Sequence, residues 1–178
     1  MSATTSSPTE ASALHRAVDG VGRSRPVEAL TPLYDTLARL LPHGAVDAVL
    51  RGKPFGHPLH PTLSDLPIGL WTSAVLLDAG GRRFEDASRR LVGAGLVAAV
   101  PTALAGLADW RTTHQPARGV GVAHAALNGG AVLCFAASWL ARRRGRGKAL
   151  SLLGAGLVSA GGYLGGHLVL TLHAPDEA

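Results

Sequence analysis

Four apolar runs, each about as long as a bilayer is thick, constrain this chain more than any other feature. They cover about 61–79, 90–109, 120–141 and 149–172. A hydrocarbon core of about 30 Å needs roughly 20 helical residues at 1.5 Å each. The runs are apolar nearly all round, whereas a helix of a soluble bundle keeps a polar stripe. The connections GGRRFEDASRR, RTTHQPARG and RRRGRGK are short, so successive helices run antiparallel. The expected fold is all-α: an integral membrane, up-down four-helix bundle.

Composition points the same way. Of 178 residues, 47% are hydrophobic and 16% charged, where a soluble domain carries about a quarter. The apolar content is Ala, Leu, Val and Gly, which suits close helix packing in lipid. The fourth run holds two overlapping GxxxG pairs, Gly161/Gly165 and Gly162/Gly166. Pro101 is expected to kink the second helix. Net charge is +5, but the basic residues sit in short stretches between apolar runs. That is a topology signal, and no nucleic-acid partner is expected. The single Cys134 allows no intrachain disulfide and no CxxC metal site, and reads as a small buried hydrophobe.

Ahead of the runs, residues 1–26 are rich in Ser, Thr and Ala and are expected to form a disordered tail. They contain no apolar core of the kind a secretory signal needs. Residues 27–56 form an amphipathic, interfacial helical segment. Val27, Leu30, Tyr34, Leu37 and Leu41 recur at helical spacing, with Pro32 near the start and a short second helix over 44–51. This segment either lies on the membrane surface or packs on the end of the bundle. The transmembrane domain then spans 57–173, and 174–178 is a short tail.

Charge sets the expected orientation. The first and third connections carry Arg82, Arg83, Arg89, Arg90, Arg142, Arg143, Arg144, Arg146 and Lys148. The other side has Arg51, Lys53, Arg111 and Arg118. The more basic loops belong in the cytoplasm. Both termini would then face outward from the cell membrane.

The ionisable residues gather at that outward end. His57 and His60 precede the first run, and Asp65 lies about a turn inside it. Asp109 and His114 flank the second run, and His124 and Asn128 share a face of the third. Tyr163 and His167 share a face of the fourth, with His173 just beyond. Asp78 alone sits at the other end, near the arginines. Ionisable groups in hydrocarbon are costly and usually face the bundle interior. Asp65, His124 and His167 lie within about a turn of one depth, as a buried haem or metal site would require. The same residues also read as a structural polar network, and spacing alone does not separate the two.

The stretch GHPLHPTLSDLPIGLWTSAVLLD, with Asp109-Trp110, HAALN and SAGGYLGGHLV, resembles an uncharacterised bacterial four-helix membrane family, DUF2231. The similarity runs from about Leu50 to Leu172, and the matching residues include His57, His60, Asp65, Asp109, His124 and His167. In related proteins a Rieske iron–sulfur domain often follows. The single cysteine here cannot supply that domain's ligands. The resemblance implies a membrane module near redox chemistry.

Two functions follow as expectations. One is a redox or electron-transfer module holding haem b on His124 and His167, with His60 as substitute, or a transition-metal ion on His60, Asp65, His124 and His167. Asp65, Asp109, Asn128, Tyr163 and His57 would surround those ligands, and an iron–sulfur or other redox partner would dock. The other is a non-redox anchor, assembly subunit or small transporter. Catalysis of its own is not expected, since no Ser-His-Asp elbow, HExxH or phosphate loop is present. A homo-oligomer is compatible with either.

Overall fold

A computed structural model describes residues 13–141 and 147–175. Among the described residues there are helices and short connections and no strand. The α-helices are α1 (Ala13–Gly22), α2 (Arg25–Leu40), α3 (Ala45–Leu50), α4 (Leu59–Ala79), α5 (Glu85–Asp109), α6 (Ala117–Ala141) and α7 (Gly147–Leu170). The tails over 1–12 and 176–178, and Arg142, Arg143, Arg144 and Arg146 of the topology count, lie outside the described residues.

The long helices pair as two hairpins. α4 packs along α5, and α6 packs along α7; the hairpins then meet along α4–α7 and α5–α6. Their helices begin earlier than the apolar runs. α4 starts at Leu59, two residues before Pro61, because a proline in the first turn has no helical hydrogen bond to lose. α5 starts at Glu85, with Glu85 and Asp86 placed to favour the helix N-terminus. Pro101 does not interrupt α5, which runs unbroken to Asp109.

Pro67 lies inside α4, where it removes the hydrogen bond that would end on the Leu63 carbonyl. That carbonyl accepts the Thr102 hydroxyl of α5 instead, at 3.1 Å. The lost backbone bond becomes a link between helices. Across the centre of the bundle, Trp71 of α4 stacks on Phe135 of α6 with ring centroids 4.3 Å apart. Both are buried, with Ala74, Val92, Ala131 and Val158 around them.

Three helices are long and apolar enough to cross a membrane: α5 with its flanking turns (Arg82–Thr112), α6 and α7. The sequence reading expected four. α4 is long enough at 21 residues, but His60, Ser64, Asp65, Thr72 and Ser73 dilute its apolar content.

The segment ahead of α4 is more structured than expected. Residues 13–22 are helical rather than part of a disordered tail, because Val18 is buried in a core shared with Val27, Ala38, Trp110 and Val120. α1 crosses α6 where two glycines meet: a Cβ on Gly119 would lie 2.2 Å from the Gly22 carbonyl oxygen. α2 starts at Arg25, so Pro32 is inside it rather than near its start. Val27 and Ala38 of α2 are buried, so this segment packs on the end of the bundle. Leu33 and Leu40 remain exposed.

Arg111, in the α5–α6 turn, clasps this cap. Its guanidinium donates to the Ala38 carbonyl (2.7 and 3.1 Å), the Leu41 carbonyl (2.6 Å) and the Pro42 carbonyl (3.1 Å), and to Asp47 Oδ1 (2.8 Å). The Ala38 carbonyl also accepts the Leu41 N–H at 3.2 Å, and a cation at this helix end meets the negative end of the helix dipole. Arg118 adds an ion pair to Asp35, which also accepts from Trp110 Nε1 at 2.8 Å. Arg111→Met keeps the apolar stem and removes the fork. It should cost about 3 kcal/mol. In limited proteolysis of the detergent-solubilised protein, α1–α3 should be cut while the two hairpins persist. Equal resistance of variant and parent would contradict the clasp.

Candidate functional site

The hairpins bring two histidines together. His60, in the first turn of α4, points inward, and its Nδ1 lies 2.8 Å from the Thr102 carbonyl of α5. His124, on α6, places its Nδ1 2.8 Å from the Gly161 carbonyl of α7. A carbonyl oxygen only accepts, so both Nδ1 atoms carry the proton and both Nε2 atoms keep a lone pair. The ring centroids are 5.8 Å apart, with planes nearly perpendicular.

Glycine makes this placement possible. A Cβ on Gly106 of α5 would sit 2.7 Å from His60 Nδ1, and one on Gly165 of α7 would sit 2.9 Å from His124 Cε1. Each ring fills the space that any larger residue would take. Asn128, one turn below His124, donates to the His124 carbonyl at 2.9 Å. Its Nδ2 lies 3.4 and 3.3 Å from the two ring nitrogens. Such near-equal distances place it over the ring face, off the axis of the Nε2 lone pair. Gly161 leaves room for that amide, since a Cβ there would lie 2.7 Å from it.

The other expected site residues lie apart from this pair. Asp65 is on the exposed face of α4. His167 is buried at 7% exposure, but its ring neighbour is His15 of α1, at 5.2 Å between centroids. Its Nε2 makes no hydrogen bond among the described residues. Asp109 is buried at the end of α5 near Arg51 and Asp47, and its Oδ1 is likewise without a hydrogen bond there. His57, His114 and His173 are exposed, and Tyr163 faces outward at 43% exposure. At the opposite end, the Asp78 carbonyl accepts Lys148 Nζ at 2.8 Å.

Among the described residues no three His, Cys, Asp or Glu side chains converge as a metal site. The four-ligand set of His60, Asp65, His124 and His167 is therefore not assembled; its two inward-facing members on α4 and α6 are. A b-type haem does not fit the pair. α5 and α7 press on both rings through Gly106 and Gly165 and leave no slot for a macrocycle. Gly162, of the second GxxxG pair, borders a groove of about 160 Å³ between α4 and α7 that no histidine lines. Small-molecule pockets are typically about 300–1,000 Å³.

Sequence reasoning missed Thr102, Gly106 and Gly161 as partners of the imidazoles, and Arg111, Asp35 and Asp47 as the clasp. Helical phase gives one usable signal: Thr102 and Gly106 lie one turn apart, as do Gly161 and Gly165.

Long apolar helices around a small polar centre define a membrane protein. The chain belongs to the DUF2231 family, described as predicted membrane proteins, which matches residues 56–175. Neither a curated protein nor a solved structure matches it.

The sockets make a direct prediction. Gly106→Ala and Gly165→Ala should each displace a ring and cost about 1–3 kcal/mol. Gly129→Ala, whose Cβ would meet nothing within 4 Å, should be neutral or stabilising by up to about 1 kcal/mol. Thermal unfolding in detergent measures the difference. Nitrogen-15 spectra of the rings should show the Nδ1–H tautomer in the parent and its loss in the two socket variants.

Proposed function

We propose that this protein is a four-span membrane module whose His60–His124 pair is a transition-metal centre serving redox chemistry. The observation that carries the reading is the shared anchoring of the two imidazoles. Each donates Nδ1–H to a backbone carbonyl, which fixes the tautomer and leaves the Nε2 lone pair available to an ion. α4 is the fourth span: it runs the length of α5, and its polar residues near the His60 end sit at the interface. The cap over α1–α3 and the α5–α6 turn share that end. By the charge rule this end, and both termini, face outward from the cytoplasmic membrane. An iron–sulfur or other redox protein docking there would exchange electrons with the centre.

The competing reading is a non-redox anchor in which the imidazoles only tie helices together. The Nδ1–H bonds to α5 and α7 favour it to that extent, since each already satisfies a polar group.

Elemental analysis and optical spectra of protein purified in detergent separate the two. The proposal expects a bound transition metal in fixed proportion to chain, a spectrum without a Soret band, and loss of the metal in His60→Gln and His124→Gln. A metal-free protein that cannot be reloaded would leave only the anchor. Orientation is tested in a Cys134→Ala background carrying Thr171→Cys. An impermeant thiol reagent should label that cysteine in intact cells; labelling only after lysis would reverse the assignment.

A further inference from the structure

The two hairpins repeat one another at a series of contacts. A shift of 64 residues carries α4 onto α6: His60 falls on His124, Trp71 on Phe135, and Ala74 on Ser138. A shift of 59 carries α5 onto α7: Gly95 falls on Gly154, Thr102 on Gly161, and Gly106 on Gly165. The contacts follow these shifts. His60 bonds the Thr102 carbonyl, and His124 bonds that of Gly161, both at 2.8 Å. Gly106 sockets the first imidazole, and Gly165 the second. Gly95 sockets Trp71, and Gly154 sockets Phe135, with hypothetical Cβ distances of 2.3 and 2.9 Å. Near the basic end, Ser88 donates to the Ala74 carbonyl at 2.8 Å, and Ser138 donates to that of Gly147 at 2.7 Å. Those are equivalent positions, bridged by a serine from the opposite helix in each hairpin.

Equivalent residues also meet one another. Trp71 stacks on Phe135, and His60 faces His124. Only residues beside a two-fold axis between the repeats can do this.

We infer that the membrane domain is a tandem repeat of one helical hairpin, and that His60 and His124 form a two-donor site on its axis for a single monovalent d10 ion, Cu(I). This rests on the reading of the pair as a metal centre and names its ion. Three observations select that class. The site offers two equivalent neutral nitrogen donors and, among the described residues, no converging third ligand, whereas zinc takes four. Asp65 faces outward and Asp109 sits against Arg51 and Asp47, so among the described residues no carboxylate offsets a divalent charge in a low-dielectric interior. Rings 5.8 Å apart also match the span of two imidazoles on opposite sides of one ion. With metal–nitrogen bonds of about 2 Å, that span is roughly 6 Å between ring centres.

The test is anaerobic titration of the detergent-purified full chain with Cu(I) in competition with a chromophoric Cu(I) chelator, and in parallel with Zn(II) and Co(II). The inference expects one Cu(I) per chain, with X-ray absorption showing two imidazole nitrogens. His60→Gln and His124→Gln should each weaken binding at least about 100-fold and by similar amounts, while His167→Gln leaves it unchanged. Glutamine keeps an amide that can donate to the same carbonyls, and size-exclusion chromatography checks that the variants fold. Cu(I) binding that depends on only one of the two histidines, or on neither, overturns the symmetric site. Zn(II) or Co(II) bound at the pair without Cu(I) overturns the ion assignment and leaves the metal-centre reading intact. No metal bound by folded protein overturns both.

Discussion

Close approach of helix backbones at glycine is the constraint on which the rest of this structure depends. In a bilayer, apolar helices gain little from leaving lipid for one another, so association relies on packing and on polar contacts between helices. Here the packing is ring against glycine. Trp71 and His60 press on α5, and Phe135 and His124 press on α7. The approach that seats each imidazole also brings its Nδ1 to a backbone carbonyl. A methyl group at Gly106 or Gly165 would disturb packing, hydrogen bond and tautomer together. The stability of the membrane part and the placement of its two imidazoles are thus the same set of contacts.

Polar groups are concentrated where backbone bonds are missing or helices end. Pro67 frees a carbonyl, and Thr102 takes it. α2 ends in carbonyls, and Arg111 donates to them. Ser138, fully buried, bridges to Gly147 and lies 2.7 Å from Ser151. In each case a side chain from one helix satisfies the backbone or side chain of another, which gives direction to packing that apolar surfaces alone would leave free to slide.

The long helices were legible because apolar runs of bilayer length have few other uses, and the family was legible in HPLHP and the residues after it. The one-sided gathering of histidine was legible too. Which histidines meet was not. Depth along a helix can be counted from sequence, but facing depends on rotation, and rotation here is set by glycine sockets on the neighbouring helix. Asp65 and His167 share a depth with His124, yet Asp65 turns outward and His167 turns to His15 beneath α1. The repeat was hidden for a related reason. Its halves agree mainly at His60/His124, Gly95/Gly154 and Gly106/Gly165, while the contacts that reveal it run through backbone carbonyls, which carry no sequence signal. α1 escaped notice because its burial rests on Val18 and a glycine crossing rather than on a long apolar face.

The Arg111 clasp also orders the assembly of the molecule in time. The carbonyls of Ala38 and Leu41 are made early in synthesis, but the guanidinium that satisfies them lies 73 and 70 residues further along the chain. Two long helices must emerge before it arrives. Until then α2 lacks the guanidinium, and Val27 and Ala38 lack their core, since Trp110 and Val120 are also still to come. α2 therefore finds these partners only after α4 and α5 have been made.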